Sequence, residues 1–212
     1  MNIAISSVFR SGLICLLFAF YVAVLPAAAQ APAAEQEIVR VRRLEAFGPR
    51  AKIQTPDFQA RGRGIQRSAT PPGEWHMITV DYDAMQDWTE ELTFRYFVVT
   101  RIMRDGAPVF SFFKHVVRYG DIERGRSKQS TVFLRPVTIK RYGEPIGVAY
   151  EIMFEGNVVA SGSQEAADFR VPENWWNNRQ VTELLTERQG YLLDRSQTPF
   201  ALVNIDDYEV IR

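Results

Sequence analysis

Leu92–Arg104 reads LTFRYFVVTRIMR, Asp105-Gly106 follows, and the chain returns through Val109–Tyr119, VFSFFKHVVRY. At period two, Leu92, Phe94, Tyr96, Val98 and Ile102 fall on one face and Phe97, Val99 and Met103 on the other. Successive side chains of a strand point to opposite faces, so this spacing predicts a strand buried on both sides. β-Branched and aromatic residues dominate both runs, and Asp-Gly between them is a strong hairpin signal.

The same pattern extends in both directions. Trp75 to Tyr82 alternates as another strand. Ile146, Val148, Tyr150, Ile152 and Phe154 alternate with Gly147, Ala149, Glu151 and Met153, and Glu155-Gly156-Asn157 turns that strand into Val158–Ser161. Between these lies Asp121–Lys128 (DIERGRSK), read as a charged turn, and then Thr131–Leu134, a strand stopped by Pro136. Glu37–Phe47 places Ile38, Val39, Val41, Leu44 and Phe47 among three arginines with one break in alternation, which predicts an edge strand with a bulge. Short strands with turns between them predict an all-β sandwich or barrel. Near the C-terminus Val181–Gln189 fits a short helix stopped by Gly190, and Tyr191–Asp194 and Phe200–Ile211 read as extended. Gln59–Pro72 has no periodicity and reads as a loop.

The N-terminus has a different logic. Arg10 precedes the apolar run Leu13–Leu25, and Pro26-Ala27-Ala28-Ala29 supplies small residues before Gln30, which together predict a secretory signal peptide over residues 1–29. The run is too short for the roughly 20 residues that span a bilayer as a helix, so no transmembrane helix is expected after signal removal. Cys15, the single cysteine, lies inside the apolar run after Ile14, which argues against a lipoprotein. Residues 30–36 read as a disordered lead-in and residues 37–212 as one sandwich domain. The expected compartment is the periplasm, with outer-membrane association or release outside the cell as alternatives.

Charge balance excludes some functions. With 25 basic and 25 acidic residues, the chain lacks the basic excess that binding to nucleic acid phosphates requires. Two histidines and one cysteine cannot supply a His/Cys metal cluster. Glu35–Thr70 nevertheless carries eight basic and four acidic residues, and Glu74–Glu91 six acidic and none basic. The simpler expectation is that these stretches pack against each other; the sharper one is a steered protein contact.

No catalytic constellation emerges. His76 and His115 lie in strands without a carboxylate at ligand spacing on the same face, and Ser161-Gly162-Ser163 lacks the G-x-S-x-G frame and reads as a turn. Asp81, Asp83 and Asp87 match positions one, three and seven of a calcium loop, but Gln86 and Leu92 stand where glycine and glutamate are required. No enzyme activity and no cofactor are expected. The adjacent Trp175 and Trp176 fit either a buried core end or a stacking surface for sugars.

At Gly73-Glu74-Trp75, Phe133-Leu134-Arg135-Pro136, Arg141-Tyr142-Gly143 and Thr198-Pro199-Phe200-Ala201-Leu202 to Asp207-Tyr208-Glu209, the sequence resembles a family of exported Ig-like proteins of verrucomicrobial bacteria, including the Akkermansia type, encoded among type IV pilus-like genes. The resemblance implies a single Ig-like β-sandwich, to which the residues add a short helical segment near the C-terminus, and no catalytic residues to carry over. It implies envelope or pilus assembly proteins as partners, for a non-enzymatic accessory of a type IV pilus or type II secretion-like machine; self-association is a further expectation. The expected interaction surface comprises Arg40, Arg42, Arg61, Arg63 and Arg67 with Trp175 and Trp176, and the edge strand Glu37–Phe47 is the expected docking edge. The alternative function is a carbohydrate-binding sandwich using Trp175 and Trp176.

Overall fold

The computed structural model describes residues 37–56 and 73–202, all within the unit Glu37–Arg212. The signal peptide, the lead-in and the Gln59–Pro72 loop expected from the sequence lie outside the described residues. In chain order the elements are β1 (Val39–Glu45), β2 (Lys52–Gln54), β3 (Glu74–Arg104), β4 (Ala107–Leu134), α1 (Pro136–Tyr142), β5 (Glu144–Phe154), β6 (Asn157–Glu165), α2 (Arg179–Thr182), β7 (Thr186–Arg188) and β8 (Leu192–Asp194).

Asp105 and Gly106 take φ of 51° and 80°, the two positive values that a tight hairpin loop between right-twisted strands needs. The hairpin is longer than the alternation suggested. β3 and β4 pair from Arg104↔Ala107 to His76↔Leu134, and register shifts interrupt the ladder at Tyr82/Ala84 and Ala84/Trp88. The expected turn at Asp121–Lys128 is therefore a distorted stretch of β4, in which Asp121 and Ser127 take positive φ without ending the strand. Charged residues there face solvent, which made a strand look like a turn.

At these irregularities the hairpin doubles over, so β3 and β4 contribute to two layers. In one, β1 and β2 flank the first half of β3, and β8 flanks the end of β4. The other runs β6-β5-β3-β4-β7. Their inner faces meet in one core: Ile78, Val80 and Tyr82 from one layer, with Phe94, Tyr96, Val98, Val148, Tyr150 and Ile152 from the other. The Tyr82 and Phe94 rings lie 5.1 Å apart, and the Tyr96 hydroxyl donates to Ser130 Oγ at 2.8 Å. The fold is all-β and sandwich-like.

The outer faces are covered by the C-terminal third. Trp75, Phe133, Leu193 and Phe200 close one, and Trp175 and Trp176 close half of the other over Phe97, Val99 and Phe112. The expected helix over Val181–Gln189 is reduced to α2, because Thr186–Arg188 instead adds to β4 as a parallel strand. Conversely, Pro136 both stops β4 and starts α1: a proline at the first helical turn and Gly143 after the last bracket this helix.

Candidate functional site

β1 carries the predicted bulge, as a register shift between Val41 and Arg43. Its arginines are already engaged. Arg40 pairs with Glu37 at 2.6 Å, Arg42 Nε with Asp83 at 2.7 Å and Arg43 with Asp81 at 2.8 Å. Asp83 also accepts from the Ser127 backbone, which with Arg42 outweighs burial and holds its carboxyl below the usual range. Asp87 pairs with Arg124 at 3.2 Å. Arg42, Arg43 and Lys52 of the basic stretch thus pair with Asp83, Asp81 and Glu74 of the acidic one. Among the described residues, no group of three His, Cys, Asp or Glu side chains is placed to hold a metal ion. Arg61, Arg63 and Arg67 lie outside the described residues.

Trp175 and Trp176 are 0% and 7% exposed, so neither indole face is open to a sugar ring. This overturns the stacking-platform expectation. Trp175 packs edge-on against Phe112 at 5.8 Å and against Trp176 at 6.0 Å. A sheet face as apolar as Phe97, Val99, Phe112 and Ala149 needs a cover, and two large rings on a 3-10 turn supply it.

Beneath them lies a group that sequence reasoning missed. Glu151, 3% exposed, accepts at Oε1 from Trp176 Nε1 (3.0 Å) and Asn177 Nδ2 (2.7 Å), while Oε2 is 3.1 Å from Arg95 directly across the β3–β5 ladder. The period-two pattern places a carboxylate on this outer face; only the fold reveals the C-terminal turn that buries it. Removing Glu151 strands two donors, so Glu151→Ala should cost about 2–4 kcal/mol and Glu151→Gln less, read from urea denaturation. Equal costs would mean that the hydrogen bonds a neutral amide can keep contribute little there.

The two histidines also have carboxylates that spacing did not show. Because a carbonyl only accepts, His76 Nε2 carries the proton it donates to Ala46 O at 2.7 Å, and its Nδ1 lies 3.7 Å from Glu144. Lys52 bridges Glu74 (2.9 Å) and Glu144 (4.0 Å) across a small cavity of about 280 Å³ between β2 and α1. The His76 ring, and then Lys52, outweigh burial and hold the Glu144 carboxyl below its ordinary value. At Asp194, burial acts upward, and the His115 ring and Ser196 hydroxyl more than offset it. A carboxyl with a depressed folded-state pKa contributes stability above its unfolded value, near 4, and loses it as pH falls through the folded value. Stability should therefore fall below about pH 4, and Glu144→Gln should flatten part of that acid limb in urea midpoints taken from pH 7 to pH 3.

The remaining half of the outer face, beyond Trp176, is open. Trp88, Glu90, Glu91, Thr93, Arg95, Arg118, Met153, Phe154 and Glu155 line a cleft of about 870 Å³ where the hairpin doubles over. Trp88 is 53% exposed, and Arg118 forms no ion pair among the described residues. Of the four tryptophans, Trp75, Trp175 and Trp176 are buried. Trp88→Phe should consequently remove most of the acrylamide-quenchable fluorescence; quenching that survives would place another indole at the surface.

The fold and its surface define a class: a doubled-over, all-β sandwich with a bare outer cleft and interior ion pairs that tie strands and turns together. A protein-family model matches residues 32–212, and the chain belongs to that family. A crystal structure of a protein from Akkermansia muciniphila is similar, with a TM-score of 0.65 and 20% identity over 82% of this chain and 93% of that one; at this identity the likeness is one of fold. No curated protein matches the chain.

Gly73–Trp75, Phe133–Pro136 and Thr198–Leu202 meet in space. Trp75, Phe133 and Phe200 pack as one cluster, with Trp75–Phe200 centroids at 5.5 Å and Phe133–Phe200 stacked at 5.0 Å. A Cβ on Gly73 would come within 2.6 Å of Pro136. These residues close the fold.

Proposed function

We propose that the protein is an exported, non-enzymatic, Ig-like sandwich that serves as an interaction or scaffold module of an envelope assembly, of the type IV pilus or type II secretion-like kind. The observation that carries this reading is the bare cleft: an exposed Trp88 beside Met153 and Phe154, rimmed by Glu90, Glu91 and Glu155, on an outer face that Trp175 and Trp176 cover elsewhere. Exposed aromatic residues ringed by charge are the usual makings of a protein contact. With Arg95 matched to Glu151, the rim is acidic overall, which fits a partner segment that brings an apolar side chain flanked by basic ones. The titratable groups buried elsewhere hold strands and turns together, a use that requires no substrate.

The test is in-cell crosslinking with mass spectrometry on the tagged protein. Crosslinks to pilus or secretion components that weaken in Trp88→Ala support the module. Crosslinks confined to glycan-handling proteins overturn it.

A further inference from the structure

Most features that the sequence singles out are absorbed by the fold. Ser161-Gly162-Ser163, expected as a turn, lies inside β6. The arginines of β1, on the edge expected to dock a partner, are already paired with Glu37, Asp83 and Asp81. Two groups of charge are left over. In the cleft, Glu90, Glu91 and Glu155 form no ion pair among the described residues and are set against one unmatched cation, Arg118. Carboxylates gathered without counterions repel one another, and an arriving cation relieves that repulsion. The second group is Gln59–Pro72, outside the described residues, whose sequence QARGRGIQRSATPP carries Arg61, Arg63 and Arg67, no acid, and Ile65 between the arginines. That is an apolar side chain flanked by basic ones, the chemistry the cleft fits.

We propose that the cleft of one copy receives the Arg61–Arg67 segment of a second copy, with Ile65 against Trp88, Met153 and Phe154 and the arginines against Glu90, Glu91 and Glu155. This rests on the reading of the cleft as a protein contact and names what fills it. The exposed indole of Trp88 offers a face on which a guanidinium can stack, and planar guanidinium groups match carboxylates well. Gly62 and Gly64 add no side chains between the arginines, so the backbone can come close. Chain length assigns the segment to another copy. Its two ends are tied together at the start of β3, where the Thr55 N–H donates to Gly73 O at 3.1 Å. Arg61 is six residues from Thr55 and Arg67 six from Gly73, so each stays within about 22 Å of that anchor even when fully extended. The nine residues from Gly73 to Tyr82 run about 30 Å along the ladder, and the cleft lies beyond them, on the outer face of the other layer. In a two-fold pair each copy gives one segment and receives one, which doubles the contact.

The test uses the full chain, with a synthetic peptide of Gln59–Pro72 as the probe. Trp88 is the exposed indole, so the peptide should change the protein fluorescence saturably, and Trp88→Phe should abolish the change. Arg61→Gln, Arg63→Gln and Arg67→Gln in the peptide should weaken binding at least about tenfold, and about 0.5 M salt should do the same, because exposed ion pairs are screened. Sedimentation of the full chain should show a reversible, salt-sensitive dimer. A chain with Arg61→Glu, Arg63→Glu and Arg67→Glu, and a chain with Glu90→Lys, Glu91→Lys and Glu155→Lys, should each be monomeric, and mixing them should restore the dimer. A peptide that leaves Trp88 fluorescence unchanged overturns the proposal. So does a chain that is monomeric at every concentration, or a dimer indifferent to both charge reversals. Should the lysine chain fail to fold, the peptide without arginines decides. If the proposal falls while Trp88→Ala still weakens crosslinks to envelope components, the cleft remains a protein contact and only this occupant is wrong.

Discussion

Gly143→Ala is expected to destabilise the protein by about 4 kcal/mol or more, enough to lose soluble folded material at ordinary growth temperatures. Gly143 has φ of 90°, a region that side chains rarely adopt, and a Cβ there would lie 1.8 Å from the Arg101 carbonyl oxygen and 2.4 Å from its carbon. The neighbour is backbone inside the central strand β3, so it cannot swing aside. The close approach has a purpose: the Gly143 N–H closes the last turn of α1 on Ile139 O at 2.7 Å, and the Tyr142 carbonyl accepts from the buried Thr100 hydroxyl at 2.8 Å. Gly143 thus lets α1 sit against β3 before β5 begins. Urea denaturation or simple solubility reads the effect. A midpoint like that of the wild type would mean the chain does not pass so close to Arg101.

Trp175→Ala should cost about 3–5 kcal/mol, the range for emptying a fully buried large ring. The indole covers Phe97, Val99 and Phe112, and its loss would also loosen Trp176 and hence the donors held to Glu151. Trp175→Phe makes the informative comparison. The Trp175 N–H is buried and has no hydrogen-bond partner, so phenylalanine keeps much of the packing and sheds an unsatisfied donor. It should cost less than half as much as alanine. Oligosaccharides should leave the fluorescence of Trp175 and Trp176 unchanged, since burial removes both faces; quenching assigned to either would restore the sugar-binding alternative.

Period-two spacing made much of the architecture legible. The faces assigned to Leu92–Val99, the Asp105-Gly106 turn and the bulge in β1 follow from local rules, and the structure shows all three. The differences share one cause: composition describes polar residues locally, whereas tertiary pairing decides where they lie. Asp121–Lys128 looks like a turn because its charges face water, yet β3 keeps it in the ladder. Thr186–Arg188 looks helical, but β4 offers an edge, and the local preference is too weak to resist it; Leu184 is left 86% exposed. The site was harder still. Glu151 meets Trp176 across 25 residues of sequence and His115 meets Asp194 across 79, and no spacing rule reaches so far. Trp88 could have been suspected, as the one tryptophan flanked by acids on both sides, Asp87 before it and Glu90 and Glu91 after.

Because β3 and β4 run through both layers, the layers have no seam along which they could slide or part. Melting half of the hairpin would strip strands from one layer and, through the shared core, unpack the other, so loss of structure should be all-or-none. Domains that signal by shear or hinge motion need two bodies joined by something softer. Here the covalent chain itself stitches the layers twice, and the element resting on the outside is the C-terminal strap that carries Trp175 and Phe200. What such a molecule offers a larger assembly is a fixed distance and a fixed set of faces, as a strut does.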